Sequence, residues 1–143
     1  MVGGGKDREE MREILFRAKA INRDKGYHRS NYKNGDWVYG LITRLYDEKF
    51  ENLPAEMTDL NGVSGIEIDH NTICQYTGLT DKNGNKIWEN DIVDIKHYAE
   101  NAHEVKWGYG GFYIGINGLL CHYNTVCEVI GNIFDNADLL KGE

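Results

Sequence analysis

A mainly β protein with little helix is the fold class this sequence predicts, and three observations predict it. Glycine is abundant (17) and proline nearly absent (1), beside nine tyrosines and three tryptophans, a composition suited to pleated strands joined by tight turns. Two Asn-Gly pairs, Asn34-Gly35 and Asn83-Gly84, stand between apolar runs, which is the short-range mark of a β-hairpin. From Ile92 onward, short alternating segments follow one another at the spacing of a small barrel. A chain of 143 residues suffices for one ordinary domain, or for a small domain with an appendage.

Taken in order, "MVGGGKDREE" (1–10) has no apolar periodicity and three consecutive glycines. It is expected to be a disordered extension that adds nothing to the fold. In "MREILFRAKAI", Met11, Ile14, Leu15 and Ala18 have helical spacing, while Ile14 and Phe16 against Leu15 and Arg17 would suit a strand; periodicity leaves both readings open. Asn34-Gly35 predicts a hairpin into a strand from Trp37 to about Tyr46. The segment 47–65 holds the one proline, Pro54, and reads as a connector with a helical turn near Ala55-Glu56-Met57. Ile66 and Ile68 alternate with Glu67 and Asp69 as a half-buried strand. His70-Asn71 then breaks the pattern before a second strand through Ile73 and Tyr76. The remaining strands are "IVDIKHY", "HEVKW", "FYIGI" and "CEVIGNIF". Their predicted core is Trp88, Ile92, Val93, Val105, Trp107, Phe112, Ile114, Val129 and Ile133.

The loop "DKNGN" (81–85) invites a calcium reading, with Asp81, Asn83 and Asn85 at alternate positions. An EF-hand loop needs glycine at its sixth position and glutamate at its twelfth; here those are Lys86 and Ile92. One glycine, Gly84, cannot form a phosphate nest either. A type I′ turn at Asn83-Gly84, with Asp81 and Asn85 solvated, is the reading left.

That loop also lies in a longer signature. "CQYTGLTDKNGNKIWENDIV" resembles "GQYTGLKDKNGKKIYEGDIV" of the YopX-like family of bacteriophage and prophage proteins. "MREILFRAK" is similar to the family's opening, "NGDWVYGLI" to its second strand and "CEVIGNIFDNADLL" to its ending. The resemblance spans Met11 to Leu140. Cys74 and Asn90 depart from it where glycine is usual, and Ala137 where proline is. It implies a phage or prophage protein and offers no catalytic residue to carry over.

Chemistry is sparse elsewhere. Three cysteines, Cys74, Cys121 and Cys127, are too few and odd in number for a disulfide framework, which points to a reducing cytoplasm. Cys121, His122 and Cys127 would lie about 20 Å apart end to end in one strand, too far for one zinc ion; buried reduced thiols are the plainer reading. Asp69 and His70 with Asp91 and Asp94 form the weaker case for a divalent-metal hydrolase. No apolar run approaches the roughly 18–20 residues of a membrane helix. No catalytic group, metal site or cofactor is expected.

Charge is unevenly distributed. The net charge is −7, yet residues 11–33 carry +5 and residues 34–143 carry −11. The basic stretch interleaves cations with rings: Arg17, Arg23, Lys25, Tyr27, Arg29, Tyr32, Lys33 and Trp37. The fold expected is an N-terminal hairpin segment and connector (11–76) packed on an SH3-like small barrel (77–143, its strands within 77–136). The function expected is a non-enzymatic phage or prophage accessory module in the bacterial cytoplasm. The plainer account of the charge asymmetry is that the basic segment lies against the acidic body of its own fold. As a contact surface, that segment would meet a protein partner or a second copy of the chain; the alternative is single-stranded nucleic acid, gripped by cations and stacking rings.

Overall fold

The computed structural model describes residues 13–22, 31–45, 55–95, 102–115 and 118–141. Among them are eleven strands: β1 Phe16–Lys19, β2 Trp37–Arg44, β3 Ala55–Asp59, β4 Ile66–Ile68, β5 Cys74–Thr80, β6 Lys86–Trp88, β7 Asp91–Asp94, β8 His103–Gly108, β9 Gly111–Ile114, β10 Gly118–Leu119 and β11 Glu128–Asn132. Among the described residues helix is confined to short 3-10 turns at His70–Thr72, Leu120–His122 and Ala137–Lys141. The strands form two antiparallel sheets, ordered β4-β3-β2-β1-β5-β6 and β10-β9-β8-β7-β11. The protein is mainly β. The first sheet takes in β5 and β6, so the change of sheet falls between Trp88 and Asp91.

The ambiguous N-terminal segment is a strand, and tertiary burial decides it. β1 is central, pairing with β2 through Arg17↔Tyr39 and with β5 through Arg17↔Cys74. Both of its faces are covered: Ala18 and Ala20 enter one core with Val38, Met57 and Ile68, while Leu15 joins Cys74, Tyr76 and Trp88 on the other face. Past β1, the Asp69 N–H donates to the Lys19 carbonyl and the Ile21 N–H to the Glu67 carbonyl, both at 2.9 Å. A bridge Ala20↔Ile68 lies between them. These bonds bring the outer strand β4 back to the end of β1 and curl the sheet around its core. The second sheet packs a separate core of Val93, Ile95, Val105, Ile114, Leu120 and Cys127, which Ile87 of β6 joins from the first sheet. Burying each such aliphatic side chain contributes on the order of 1.5–3 kcal/mol.

Several expectations need correction. Residues 55–59 form β3, not a helical turn: Ala55, Met57 and Asp59 are buried in alternation with Glu56 and Thr58. Ala, Glu and Met favour helix in isolation, and pairing with both β2 and β4 overrides that preference. The Asn34-Gly35 turn is present, with Gly35 at φ 92°, but it does not join β1 to β2 directly, since Ala20 to Asp36 intervene. At Asn83-Gly84 only the glycine has positive φ, 83°, so the turn is not type I′. Gly84 N–H donates to the Asp81 carbonyl at 3.0 Å, as in a type I turn followed by a left-handed glycine. Nor is Asp81 solvated, being 4% exposed. Its carboxylate accepts N–H bonds at 2.9 Å from Asn83, Asn85 and, across 48 positions, Val129 of β11. Burial pushes this carboxyl up, but the three N–H donors outweigh it and the net shift is down. Asp81 therefore ties the β5–β6 hairpin to the second sheet.

Of the predicted core, Trp88, Ile92, Val93, Val105 and Ile114 are buried, while Phe112, Val129 and Ile133 are half-buried. Trp107 is 56% exposed, because β8 runs on past the edge of the core that holds Val105. Cys121 is exposed, whereas Cys74 and Cys127 are buried free thiols. The five-stranded sheet is open, and among the described residues no barrel closes. Asn90 adopts φ 70°, a conformation that asparagine bears well. Residues 1–10 lie outside the described residues.

Candidate interaction surfaces

The basic aromatic segment is the first candidate, and of its described members Arg17, Tyr32 and Trp37 are engaged inside the molecule. Arg17 is 6% exposed. Its Nη2 donates to Asp91 Oδ1 at 2.6 Å, and its guanidinium carbon lies 4.5 Å from the Trp37 ring centre and 5.3 Å from that of Trp88. Asp91, 2% exposed, also accepts the Trp88 N–H at 2.8 Å. Trp37 donates from Nε1 to Asp135 at 2.9 Å, and the same carboxylate pairs with Lys19. Burial pushes the Asp135 carboxyl up, but bonds from Lys19, Trp37 and Asn132 prevail and bring it down to about 2. Tyr32 donates its hydroxyl to Asp59 at 2.9 Å; burial first, and then that carboxylate, raises it to about 12. Lys33 is exposed, and its backbone N–H donates to Asp36. Arg23, Lys25, Tyr27 and Arg29 lie outside the described residues. The structure thus stacks Arg17 on Trp37 within the first sheet and pairs Arg17 with Asp91 of β7 as a latch between the two sheets, with Tyr32 and Lys33 elsewhere.

The metal candidates do not converge. Asp91 is committed to Arg17, and Asp69 caps the 3-10 turn at His70–Thr72 through the Asn71 N–H. Among the described residues no three His, Cys, Asp or Glu side chains are grouped to hold an ion.

The second candidate is the hairpin β8–β9 with the short edge strand β10. Its register is Val105↔Ile114, Lys106↔Tyr113, Trp107↔Phe112 and Gly108↔Gly111. Alternation puts Trp107 and Phe112 on the side of the buried Val105 and Ile114 but beyond that core, their rings 4.9 Å apart and edge to face. Tyr113 and Leu119, paired between β9 and β10, share the opposite face. At the tip, Tyr109 has φ 53° and Gly110 φ 79°, the two positive values of a type I′ turn. Left-handed backbone costs a bulky residue about 1–2 kcal/mol. Tyr109 recovers none of that by burial, since its side chain is 99% exposed. Sequence reasoning passes over Tyr109 and Tyr113. The signal that finds them is "WGYGG", a ring where Asn or Gly would relieve the turn.

The chain was compared with known proteins. The family model described as YopX protein matches residues 15–141. A search of curated proteins found no match. Among solved structures, the crystal structure of protein EF1440 from Enterococcus faecalis is similar, at 28% identity and a TM-score of 0.56, with 90% of this chain and 98% of that chain covered. With its strands from β1 to β11 all inside the matched span, the chain belongs to the YopX protein family.

Proposed function

We propose that this protein is a non-enzymatic binding module for a protein partner, and that its contact surface is the aromatic hairpin β8–β9. The observation that carries the reading is Tyr109, a fully exposed ring on a strained left-handed backbone. Strain that burial does not repay is characteristic of functional positions, and exposed aromatics are the side chains that anchor protein interfaces. Trp107 and Tyr113 extend the surface on either side of the ribbon. An SH3-like use of this half is supported by its short antiparallel strands and outward-facing rings. The family resemblance supports a phage or prophage accessory role in the bacterial cytoplasm. Single-stranded nucleic acid is the weaker reading: Arg17 and Trp37 are engaged inside the molecule, and a net charge of −7 repels phosphate.

The test is affinity capture from a bacterial lysate with the wild-type chain and Tyr109→Ala, each with and without nuclease. A protein retained after nuclease and lost with Tyr109→Ala is the expected result, and a second copy of the chain would count as that protein. Capture indifferent to Tyr109, or abolished by nuclease, overturns the reading.

A further inference from the structure

The hairpin's outer face carries a concavity of about 370 Å³ lined by Gly108, Tyr109, Tyr113, Gly115, Gly118 and Leu119. Two rings form its walls: Tyr109 and Tyr113 lie 5.8 Å apart with planes inclined at 62°. Three of the six lining residues are glycines, and a Cβ on Gly108 would stand 3.0 Å from the Tyr113 ring, a tight approach. The volume lies near the lower end of ligand sites, about 300–1,000 Å³, which suits one long side chain and not a run of stacked bases.

We propose that this half-cage receives a lysine or arginine side chain of the protein partner. The inference rests on the hairpin being the contact surface and names what that surface recognises. Ring faces carry negative potential and attract cations, and inclined aromatic walls are how ammonium groups are caged. The charge of the chain selects the same ligand: residues 34–143, which build ten of the eleven strands, carry −11, a field that concentrates cations and repels anions. The neighbouring Lys106 does not cancel this attraction, since its Nζ lies 3.6 Å from Glu104. The chain applies the same chemistry internally, with Arg17 between Trp37 and Trp88, and Lys86 Nζ 4.8 Å from the centre of the Tyr76 ring.

The full chain should be titrated with a blocked five-residue peptide carrying one arginine between glycines and serines. The control is the same peptide with neutral citrulline, and the readout is the NMR shifts of the tyrosine rings. The arginine peptide should move the Tyr109 and Tyr113 signals with half-saturation near the millimolar range, and citrulline should bind at least about fivefold more weakly. Tyr113 shifts should vanish in Tyr109→Ala and stay within about threefold of wild type in Tyr109→Phe, which keeps the ring. Equal binding of citrulline overturns the inference. So does a proline-rich peptide or an oligonucleotide that moves these rings where the arginine peptide does not. Tyr109-dependent capture of a partner, with no response to the arginine peptide, defeats this inference alone. Capture indifferent to Tyr109 defeats the reading beneath it.

Discussion

Replacing Arg17 by methionine tests the latch between the sheets. Methionine keeps most of the aliphatic volume between Trp37 and Trp88 but removes the charge. Asp91, 2% exposed, then keeps only the Trp88 N–H at 2.8 Å as a bond to its carboxylate. An unpaired buried charge of this kind costs about 3–5 kcal/mol. Loss of the guanidinium over two indole rings adds about 1 kcal/mol. At this chain length each kcal/mol lowers the melting temperature by about 3 °C, so a drop of about 10 °C or more is expected. Urea unfolding followed by tryptophan fluorescence gives the free energy directly. The pH dependence distinguishes charge from packing. Burial already pushes the Asp91 carboxyl up, opposed chiefly by the Arg17 charge; without Arg17 it rises further. A folded value above the unfolded one, about 3.9, means stability is gained as pH falls through the folded value. The gap between variant and wild type should therefore narrow as pH falls from neutral, and Arg17→Met/Asp91→Asn should recover much of the loss. A variant within about 1 kcal/mol of wild type at neutral pH, or a loss independent of pH, would refute the reasoning.

Three further outcomes follow from the same geometry. Trp107→Ala should change stability by no more than about 0.5–1 kcal/mol, as for an exposed residue; a loss of about 3–5 kcal/mol in thermal melts, the cost of emptying a core site, would return Trp107 to the interior. Tyr109→Asn should raise the urea midpoint by the equivalent of about 0.5–1 kcal/mol by relieving the left-handed backbone, and a lowered midpoint would mean that the ring stabilises the fold. Tyr32, held near 12 by burial and by Asp59, has a folded value above the unfolded one of about 10. Its contribution is complete below pH about 10 and lost as pH rises towards 12, so Tyr32→Phe should show less alkaline loss of stability between those values; identical alkaline profiles would count against the Tyr32–Asp59 bond.

What the sequence determined by itself was local. Alternation in "IEI" gives β4, glycine punctuation marks the turns at Gly35 and Gly84, and the family signature follows directly from the order of residues. These rules act over a few positions, where steric limits on φ and the two-residue pleat suffice. Tertiary structure decided the rest. Residues 55–59 are a strand only because β2 and β4 flank them, against the helix preference of Ala, Glu and Met. Trp107 continues the alternation of Val105, yet it lies where the core has ended, and alternation carries no information about where a core stops. The charge asymmetry suggests that the basic segment lies against the acidic body of its own fold, but it does not say that Arg17 meets Asp91 across 74 positions. Such a pairing depends on which strands become neighbours, and a buried charge is tolerated only when its partner arrives. Tyr109 shows the opposite relation: its strain is set within one turn, while its full exposure follows from where the hairpin projects from the second sheet.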